Sequence, residues 1–279
     1  MRILLVDNGS RRPEATLNLR RIAAALTRRA GVAVAPVSLL HSHKIPAERL
    51  GGQPAQVFEP FVRECLRAGE RRFLVLPLFF GESRALTEFI PETRVALAAD
   101  FGPFDLRIAE VLCPLPQGEA RLTAVLLDHL RRTAEQCGAA ARRVVLVDHG
   151  SPVPAVTAVR SHLAAELRAA LDADWRLFEA VMERREGHAY DFNGPLLETV
   201  LRELAEADRG SPILLSMLFL SPGRHAGPGG DIAQICAAVE SEVPGLRVLP
   251  TPLVAEHPGL IEILADRLAQ AYRTDAAVL

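Results

Sequence analysis

Two histidines in the second half of the sequence each follow a short apolar run that is typical of a buried β-strand. His149 comes directly after VVLVD, and His225 lies a few residues after ILLSMLFL. Glu183 follows a third apolar run, FEAVM. Imidazole nitrogen and carboxylate oxygen are ligands that suit Co²⁺, Fe²⁺, Ni²⁺ and Zn²⁺. The sequence therefore predicts an open site for a first-row divalent metal ion, with His149, His225 and Glu183 as its ligands.

Other residues compete for these roles. Glu179 and Glu186 lie close enough to Glu183 in the sequence to be the acidic residue instead, and a salt bridge would explain any of the three. His41 and His43 form an HSH motif in the first half, which would suit a second metal site. Exposed loop histidines explain that motif equally well.

Groups that bind anions are predicted beside both histidines. Gly150 and Gly223 would let backbone N–H groups approach an anion closely, and Arg224 can pair with a carboxylate. Ser151 is predicted as the N-cap of the next helix, with one of the following prolines in its first turn, which would aim the helix N-terminus at the same place. These four residues are therefore expected to bind a ligand that carries acidic groups.

The sequence contains an internal duplication. The segment ILLVDNGSRRPEA, beginning at Ile3, recurs as VVLVDHGSPVPAV, beginning at Val144, with an offset of 141 residues between Asn8 and His149. Two further blocks, LPLFFGESR and LRIAEVLCPLP, recur in the same order as SMLFLSPGRH and LRVLPTPLV. Three ordered blocks at nearly the same offset indicate two copies of one module.

Each copy alternates short apolar runs, which predict strands, with longer amphipathic stretches, which predict helices. Strands are expected near Ile3–Val6, Val32–Ala35, Phe73–Phe80, Leu106–Ala109, Val144–Val147, Arg176–Val181, Ile213–Leu220 and Leu246–Leu249. Apolar helical stripes are formed by Val159, Leu163, Leu167 and Leu171 and by Leu260, Leu264 and Leu268.

This alternation predicts an α/β protein with two similar flavodoxin-like or Rossmann-like lobes, each with a parallel sheet. We expect an N-terminal module over residues 1–138 and a C-terminal module over residues 142–279, joined by a linker near Cys137–Ala141. Ligands of such folds bind outside the carboxyl ends of the strands. The candidate histidines follow strands at that edge.

Composition and charge indicate which partners and which cell compartment to expect. The formal net charge is −2, from 32 basic and 34 acidic residues, so no nucleic-acid partner is expected. The four cysteines form no CxxC pair, which predicts reduced thiols in a reducing compartment. The apolar run at the start is too short for a signal peptide, and no run is long enough for a membrane span. We therefore expect a cytoplasmic protein without a membrane partner.

Motifs of several enzyme classes are missing from the sequence. It has no GxSxG turn, no GxxxxGK[ST] loop and no complete GxGxxG. A serine hydrolase is therefore not expected, and neither ATP nor NAD is expected as a cofactor.

The ordered motifs resemble the sirohydrochlorin chelatases of the CbiX and SirB kind. The resemblance rests on VDHGS, a Met-Glu pair after the second strand, and LFLSPGRH followed by Asp231-Ile232, and it covers essentially the whole chain. It implies a chelatase fold in two fused copies. It also implies a lyase that inserts Co²⁺ or Fe²⁺ into sirohydrochlorin or a related tetrapyrrole without ATP, in cobalamin or siroheme biosynthesis. Ni²⁺ or Zn²⁺ are expected as substitutes in vitro.

The same resemblance assigns roles to individual residues. It implies that His149 and His225 bind the metal and accept protons, and that Glu183 is their acidic partner. In the first copy Asn8 stands where His149 stands and Ala85 aligns with His225, so one active site is expected. Many long members of this family keep the working histidines in the first copy, so the arrangement is reversed here.

Two other functions remain open. A non-catalytic tetrapyrrole or metal carrier would explain why one copy has lost its histidines. A histidine phosphatase also places His-Gly after its first strand, but an arginine precedes that histidine, whereas Asp148 here would repel a phosphate. Because two fused modules resemble an internal dimer, we expect a monomer.

Overall fold

Strands and helices alternate along the chain, as the sequence predicts. The computed structural model describes residues 1–137 and 142–276, the last three of them as backbone only. Most of the linker predicted near Cys137–Ala141 therefore lies outside the described residues.

The elements pack into two units. Unit 1 consists of Met1–Pro114 together with the segment that starts at Pro258, and unit 2 consists of Leu115–His257. Among the described residues, no helix is both long enough and apolar enough to span a membrane.

Unit 1 is built around a parallel four-stranded sheet with the strand order β2-β1-β3-β4. Its elements, as far as the fourth strand, are β1 (Arg2–Asp7), α1 (Pro13–Ala30), β2 (Val34–Ser38), α2 (Phe58–Arg67), β3 (Arg72–Pro77), α3 (Ile90–Phe101) and β4 (Asp105–Ile108). A π-helical turn, Ala85–Phe89, precedes α3. The central strand β1 pairs on both sides, with Leu4 opposite Ala35 and Val75.

Unit 2 repeats this architecture with the strand order β6-β5-β7-β8. Its elements are α4 (Ala120–Gln136), β5 (Arg143–Asp148), α5 (Pro154–Ala170), β6 (Arg176–Val181), α6 (Leu197–Ala207), β7 (Ile213–Met217), α7 (Asp231–Glu242) and β8 (Val248–Pro250). The central strand is β5, whose Leu146 lies opposite Glu179 and Ser216. Each unit has its own buried core of aliphatic and aromatic side chains.

The last helix of each sequence copy packs in the unit formed by the other copy. The final helix, α8 (Gly259–Ala276), packs against α1 and β3 of unit 1, whereas α4 packs against α5 and β7 of unit 2. Arg267 of α8 is buried, and its Nε and Nη2 atoms donate to the carbonyl oxygens of Val111 and Leu112 at 2.9 and 3.2 Å. Packing therefore divides the chain differently from the sequence repeat.

The two helices that follow β1 and β5 begin in the same way. Pro13 and Pro154 are the first residues of α1 and α5, where a missing N–H costs no hydrogen bond. The predicted apolar stripe of α5 is buried through Val159, Leu163 and Leu167, whereas Leu171 follows the last residue of the helix and is half-buried. The stripe of α8 is buried as well, so the periodicity identified both helices correctly.

Four strand predictions differ from the structure by two residues or more at one end. The second strand was predicted at Val32–Ala35 and lies at Val34–Ser38, and it includes Pro36. It is an edge strand, where a proline removes no hydrogen bond between strands. The apolar runs predicted as strands to Phe80 and Leu220 leave the sheet after Pro77 and Met217, and the next residues, Leu78 and Leu218, are buried in loops. The last strand, predicted at Leu246–Leu249, lies at Val248–Pro250.

Candidate metal centre

The first histidine follows the central strand of unit 2. β5 ends at Asp148, and backbone bonds then join its loop to the loop after β6: Met182 N donates to Asp148 O at 2.9 Å, and Glu183 N donates to His149 O at 3.1 Å. These bonds bring Glu183 beside the imidazole, where Nε2 of His149 and Oε1 of Glu183 are 3.2 Å apart.

A glycine makes this close approach of the two loops possible. Gly150 has a φ of +87°, and a Cβ atom at this position would overlap the carbonyl oxygen of Glu183. Only glycine meets both requirements without strain. The HGS motif therefore sets the distance between the loop of His149 and that of Glu183.

The second histidine lies in the loop between β7 and α7. His225 Nδ1 is 2.7 Å from Oδ2 of Asp231, the first residue of α7. The rings of His225 and His149 meet edge to face, with centroids 4.5 Å apart and an interplanar angle of 74°. An Nδ1–H donated to Asp231 leaves the lone pair of His225 on Nε2, the nitrogen then available to a metal.

The three side chains form an incomplete ligand set. In the part of the chain that the structure describes, no group of three or more His, Cys, Asp or Glu side chains is already arranged to hold a metal ion. The His149 and Glu183 side chains are 42% and 61% exposed, so an ion can reach both of them from solvent. The chemistry of the donors fits a first-row divalent ion that is held loosely.

The competing acidic residues lie elsewhere. Glu179 is within β6 and accepts hydrogen bonds from Ser161 and Arg168 of α5 at 3.1 and 3.0 Å. Glu186 is exposed farther along the loop. Of the three carboxylates, Glu183 is the one in contact with a candidate histidine.

Some of the predicted anion-binding groups already have hydrogen-bond partners within the protein. Gly150 N donates to Asp148 Oδ1 at 3.1 Å and Gly223 N donates to Ala226 O at 2.8 Å, so both N–H groups are already paired. Arg224 is 75% exposed, and its Nε lies 3.6 Å from Oδ2 of Asp231.

The prediction that Ser151 is the N-cap of α5 is wrong. The N-cap is Val153, because Pro154 occupies the first helical position. The Ser151 hydroxyl oxygen instead accepts a hydrogen bond from Val153 N at 3.0 Å, which forms a short turn before the helix.

Unit 1 has no metal-ligating side chain at the equivalent positions. The same backbone bond runs from Leu40 N to Asn8 O at 3.2 Å, so Leu40 is the counterpart of Glu183 and Asn8 that of His149. Ala85 stands where His225 stands. His41 and His43 follow in the loop after β2, and both are exposed. The two units thus share one loop architecture but differ in every ligand position.

Comparison with known proteins identifies the family. A family model described as CbiX matches residues 2–132 and again residues 143–271, so it covers both copies. The chain belongs to the CbiX family. No curated protein matches the sequence significantly.

Three solved structures resemble this CbiX-family chain over nearly its whole length. SirB from Bacillus subtilis with Fe³⁺ gives a TM-score of 0.69 at 17% identity, over 97% of this chain and 95% of that chain. The sirohydrochlorin chelatase SirB from Bacillus subtilis subspecies spizizenii in complex with cobalt gives 0.64 at 14% identity, over 97% and 95%. CbiX, the terminal enzyme for biosynthesis of siroheme in denitrifying bacteria, gives 0.62 at 20% identity, over 97% and 99%. These matches confirm the predicted α/β fold with two similar lobes.

Sequence reasoning assigned no role to three polar residues around the site of this CbiX-family chain. Asp231 orients His225, and its place in the motif that follows His225 did not show that it contacts the imidazole. Arg160 is buried on the apolar side of α5, where a charged residue is itself a signal. Asn193, also buried, has no local signal, because its partners lie far away in the sequence.

Proposed function

We propose that this protein inserts Co²⁺ or Fe²⁺ into sirohydrochlorin or a related tetrapyrrole without ATP. The observation that carries the proposal is the convergence of His149, Glu183 and His225 at the carboxyl edge of one parallel sheet. Membership of the CbiX family and the likeness to structures of sirohydrochlorin chelatases support it.

The three side chains suit the chemistry of metal insertion. The macrocycle exchanges two pyrrole N–H protons for one dication, so the site must hold the ion, release it and accept protons. Imidazole titrates near neutral pH and serves as either a ligand or a base. The carboxylate of Glu183 supplies negative charge beside the ion and passes protons on to water. Because the ligand set is incomplete, the protein does not outcompete the macrocycle for the metal.

Asp231 and Arg224 have supporting roles in this proposal. Asp231 accepts the Nδ1–H of His225 and so keeps the Nε2 lone pair available for the ion. Arg224 is exposed next to His225 and can pair with a peripheral carboxylate of the substrate. The Ser151 hydroxyl still has its own proton to donate to an acidic group, since it acts as an acceptor toward Val153 N.

The central test compares His149→Ala and His225→Ala with Asn8→Ala. Loss of sirohydrochlorin is followed by absorption, with Co²⁺ and Fe²⁺ first and then with Ni²⁺ and Zn²⁺. Each histidine variant is expected to lose at least about 100-fold in rate, since a general base alone contributes that much. Asn8→Ala removes the equivalent side chain of unit 1 and is expected to stay within about twofold of the wild-type rate. Full activity in both histidine variants would overturn the proposal.

A carrier function is the second candidate, because unit 1 has lost all three ligand positions. Binding of both Co²⁺ and sirohydrochlorin without formation of the cobalt product, at every pH and metal concentration tested, would support a carrier instead. Turnover that depends on His149 and His225 would exclude it.

A further inference from the structure

The loop that carries His149 is held by a buried arginine. Arg160 of α5 is 2% exposed. Its Nη1 donates to Asp148 Oδ1 at 2.7 Å, and its Nη2 donates to Asn193 O at 2.6 Å. The same oxygen of Asp148 accepts the N–H of Gly150 at 3.1 Å. The carboxylate of the residue before His149 therefore accepts the N–H of the residue after it, and the guanidinium fixes that carboxylate.

A buried asparagine holds the other side of the loop. Asn193 has no exposed surface. Its Oδ1 accepts hydrogen bonds from Ser151 N at 3.0 Å and from Thr157 Oγ1 at 3.1 Å. Its Nδ2 donates to Ser151 O at 2.9 Å and to Tyr190 O at 3.1 Å. Asp148, Arg160 and Asn193 thus form a clamp around the backbone from Asp148 to Ser151.

Unit 1 contains the same loop without the clamp. Leu19 occupies the position in α1 that Arg160 occupies in α5, and it is equally buried. Ser38 N at the end of β2 donates to Gln56 O, and Val181 N at the end of β6 donates to Pro195 O. Pro54 and Asn193 each stand two residues before that carbonyl group, so Pro54 is the counterpart of Asn193. Unit 1 therefore has neither a guanidinium beside Asp7, the counterpart of Asp148, nor an asparagine at the position of Asn193.

The clamp is not needed to form the loop. Gly9 of unit 1 has a φ of +82° and Gly150 has a φ of +87°, so the two turns have the same conformation. The backbone bonds from Leu40 N to Asn8 O and from Glu183 N to His149 O also match, at 3.2 and 3.1 Å. Leucine at the arginine position thus supports the same fold, and a buried ion pair is seldom more stabilising than apolar packing. What distinguishes the clamped loop is His149.

We propose that Arg160 and Asn193 are positioning residues for His149. They hold the backbone on both sides of the imidazole, so that its ring keeps its distance from Glu183 and its edge contact with His225 during metal transfer. The inference rests on the proposed chelatase function only where Co²⁺ binding or chelation is measured, because the position of the His149 ring can be measured in the metal-free protein.

The test uses four variants of the full chain. Arg160→Leu introduces the residue of unit 1, and Arg160→Lys keeps the charge but cannot donate to Asp148 and Asn193 with a planar fork. Asn193→Ala removes the second half of the clamp. Arg168→Leu is the matched control, because Arg168 is on the same helix and pairs at 3.0 Å with Glu179, which Arg160 Nε also approaches at 3.4 Å, but Arg168 does not touch the loop.

Two measurements separate an effect on the position of the His149 ring from an effect on the stability of the fold. The ring nitrogens of His149 are observed by long-range ¹H–¹⁵N NMR in the metal-free protein, and Co²⁺ binding is titrated by its visible absorption spectrum. We expect Arg160→Leu and Asn193→Ala to shift the His149 resonances and weaken Co²⁺ binding by about 10- to 100-fold, the usual effect of losing a residue that orients a metal ligand. Arg160→Lys should fall between these variants and wild type, and Arg168→Leu should match wild type.

Wild-type His149 resonances and Co²⁺ affinity in a folded Arg160→Leu protein would overturn the inference. If that variant does not fold, the same wild-type result in Arg160→Lys overturns it. Should His149→Ala leave chelation intact while Arg160→Lys still displaces the His149 resonances, the proposed function fails and the positioning role stands. Loss of chelation in His149→Ala with no effect of either Arg160 variant would support the proposed function and overturn the positioning role.

Discussion

Asp7 and Asp148 occupy the same position in the two units but have different surroundings. Burial raises the pKa of Asp7 from 3.8 to about 6, and hydrogen bonds from Ser38 and Gly9 only partly oppose this rise. Burial also raises the pKa of Asp148, but there the charge of Arg160 acts against burial. The ionised form of Asp7 lacks the counterion that Asp148 has.

The direction of this shift predicts how stability depends on pH. The folded protein holds the Asp7 proton up to about pH 6, whereas the unfolded chain releases it near 3.8, so stability falls as the pH rises between these values. The loss amounts to roughly 3 kcal/mol at neutral pH, at about 1.4 kcal/mol per pKa unit.

Asp7→Asn is therefore expected to stabilise unit 1 at pH 7, by about 1–3 kcal/mol, and to have little effect at pH 4. Asp148→Asn makes the same change at the equivalent position and should destabilise unit 2 by about 1–3 kcal/mol, because it removes the nearer of the two carboxylates, Asp148 and Glu179, that pair with the buried guanidinium of Arg160. Urea unfolding separates the two effects, since the single tryptophan, Trp175, lies in unit 2 and far-UV circular dichroism reports both units. A destabilised Asp7→Asn protein at pH 7 would contradict this account.

At the scale of elements, each unit has a tight loop after its central strand that depends on one glycine. Gly150 lets the loop after β5 approach the carbonyl oxygen of Glu183, and Gly9 does the same for the loop after β1 and the carbonyl oxygen of Leu40. Both glycines have positive φ values, which an L-residue adopts only with strain. The loop geometry is thus common to both units, although only unit 2 has His149 and Glu183 at these positions.

Gly150→Ala is expected to push the His149 and Glu183 loops apart and weaken Co²⁺ binding by at least about tenfold. Gly9→Ala produces the same steric overlap in unit 1 and should lower the stability of that unit while leaving Co²⁺ affinity within about twofold of wild type. Isothermal titration with Co²⁺ and thermal unfolding of both variants provide the check. Equal effects on Co²⁺ binding would mean that the loop of unit 1 also takes part in the site.

At the scale of the whole molecule, each unit contains the last helix of the other sequence copy. α4 buries Leu122, Leu126 and Leu130 in unit 2, and α8 is anchored in unit 1 by the hydrogen bonds of Arg267. The sequence repeat would place α4 in the first module and α8 in the second. A piece of the chain cut at the repeat boundary therefore loses one helix that it needs and keeps one that has no partner.

This exchange predicts how fragments behave. A fragment of residues 115–257 contains all of unit 2 and should unfold cooperatively in urea and bind Co²⁺. A fragment of residues 142–279 lacks α4 and should show a broad Trp175 transition and poor NMR dispersion, as expected when part of the apolar core is exposed. If the fragment of residues 142–279 unfolded cooperatively and that of residues 115–257 did not, the exchange of α4 and α8 would not determine folding.

Local patterns in the sequence were sufficient to predict the architecture and much of the site. Apolar runs separated by amphipathic stretches predict parallel strands, and parallel strands bring their carboxyl ends to one edge, so His149 and His225 were expected to meet. The repeat also showed that Asn8 and Ala85 replace them in the first copy. Such inferences succeed because the spacing of apolar residues that marks a strand or a helix involves residues close together in the sequence.

The other features of the site and the fold were decided only by the tertiary structure, because they depend on contacts between distant segments of the chain. Sequence spacing allowed Glu179, Glu183 or Glu186 beside the histidines, and the structure shows that Glu183 is the one of the three whose side chain contacts His149. Asn193 holds a loop that lies 42 residues earlier in the chain, which no local pattern reveals. The exchange of α4 and α8 is likewise invisible in the repeat, since both helices have an apolar face that either unit could bury.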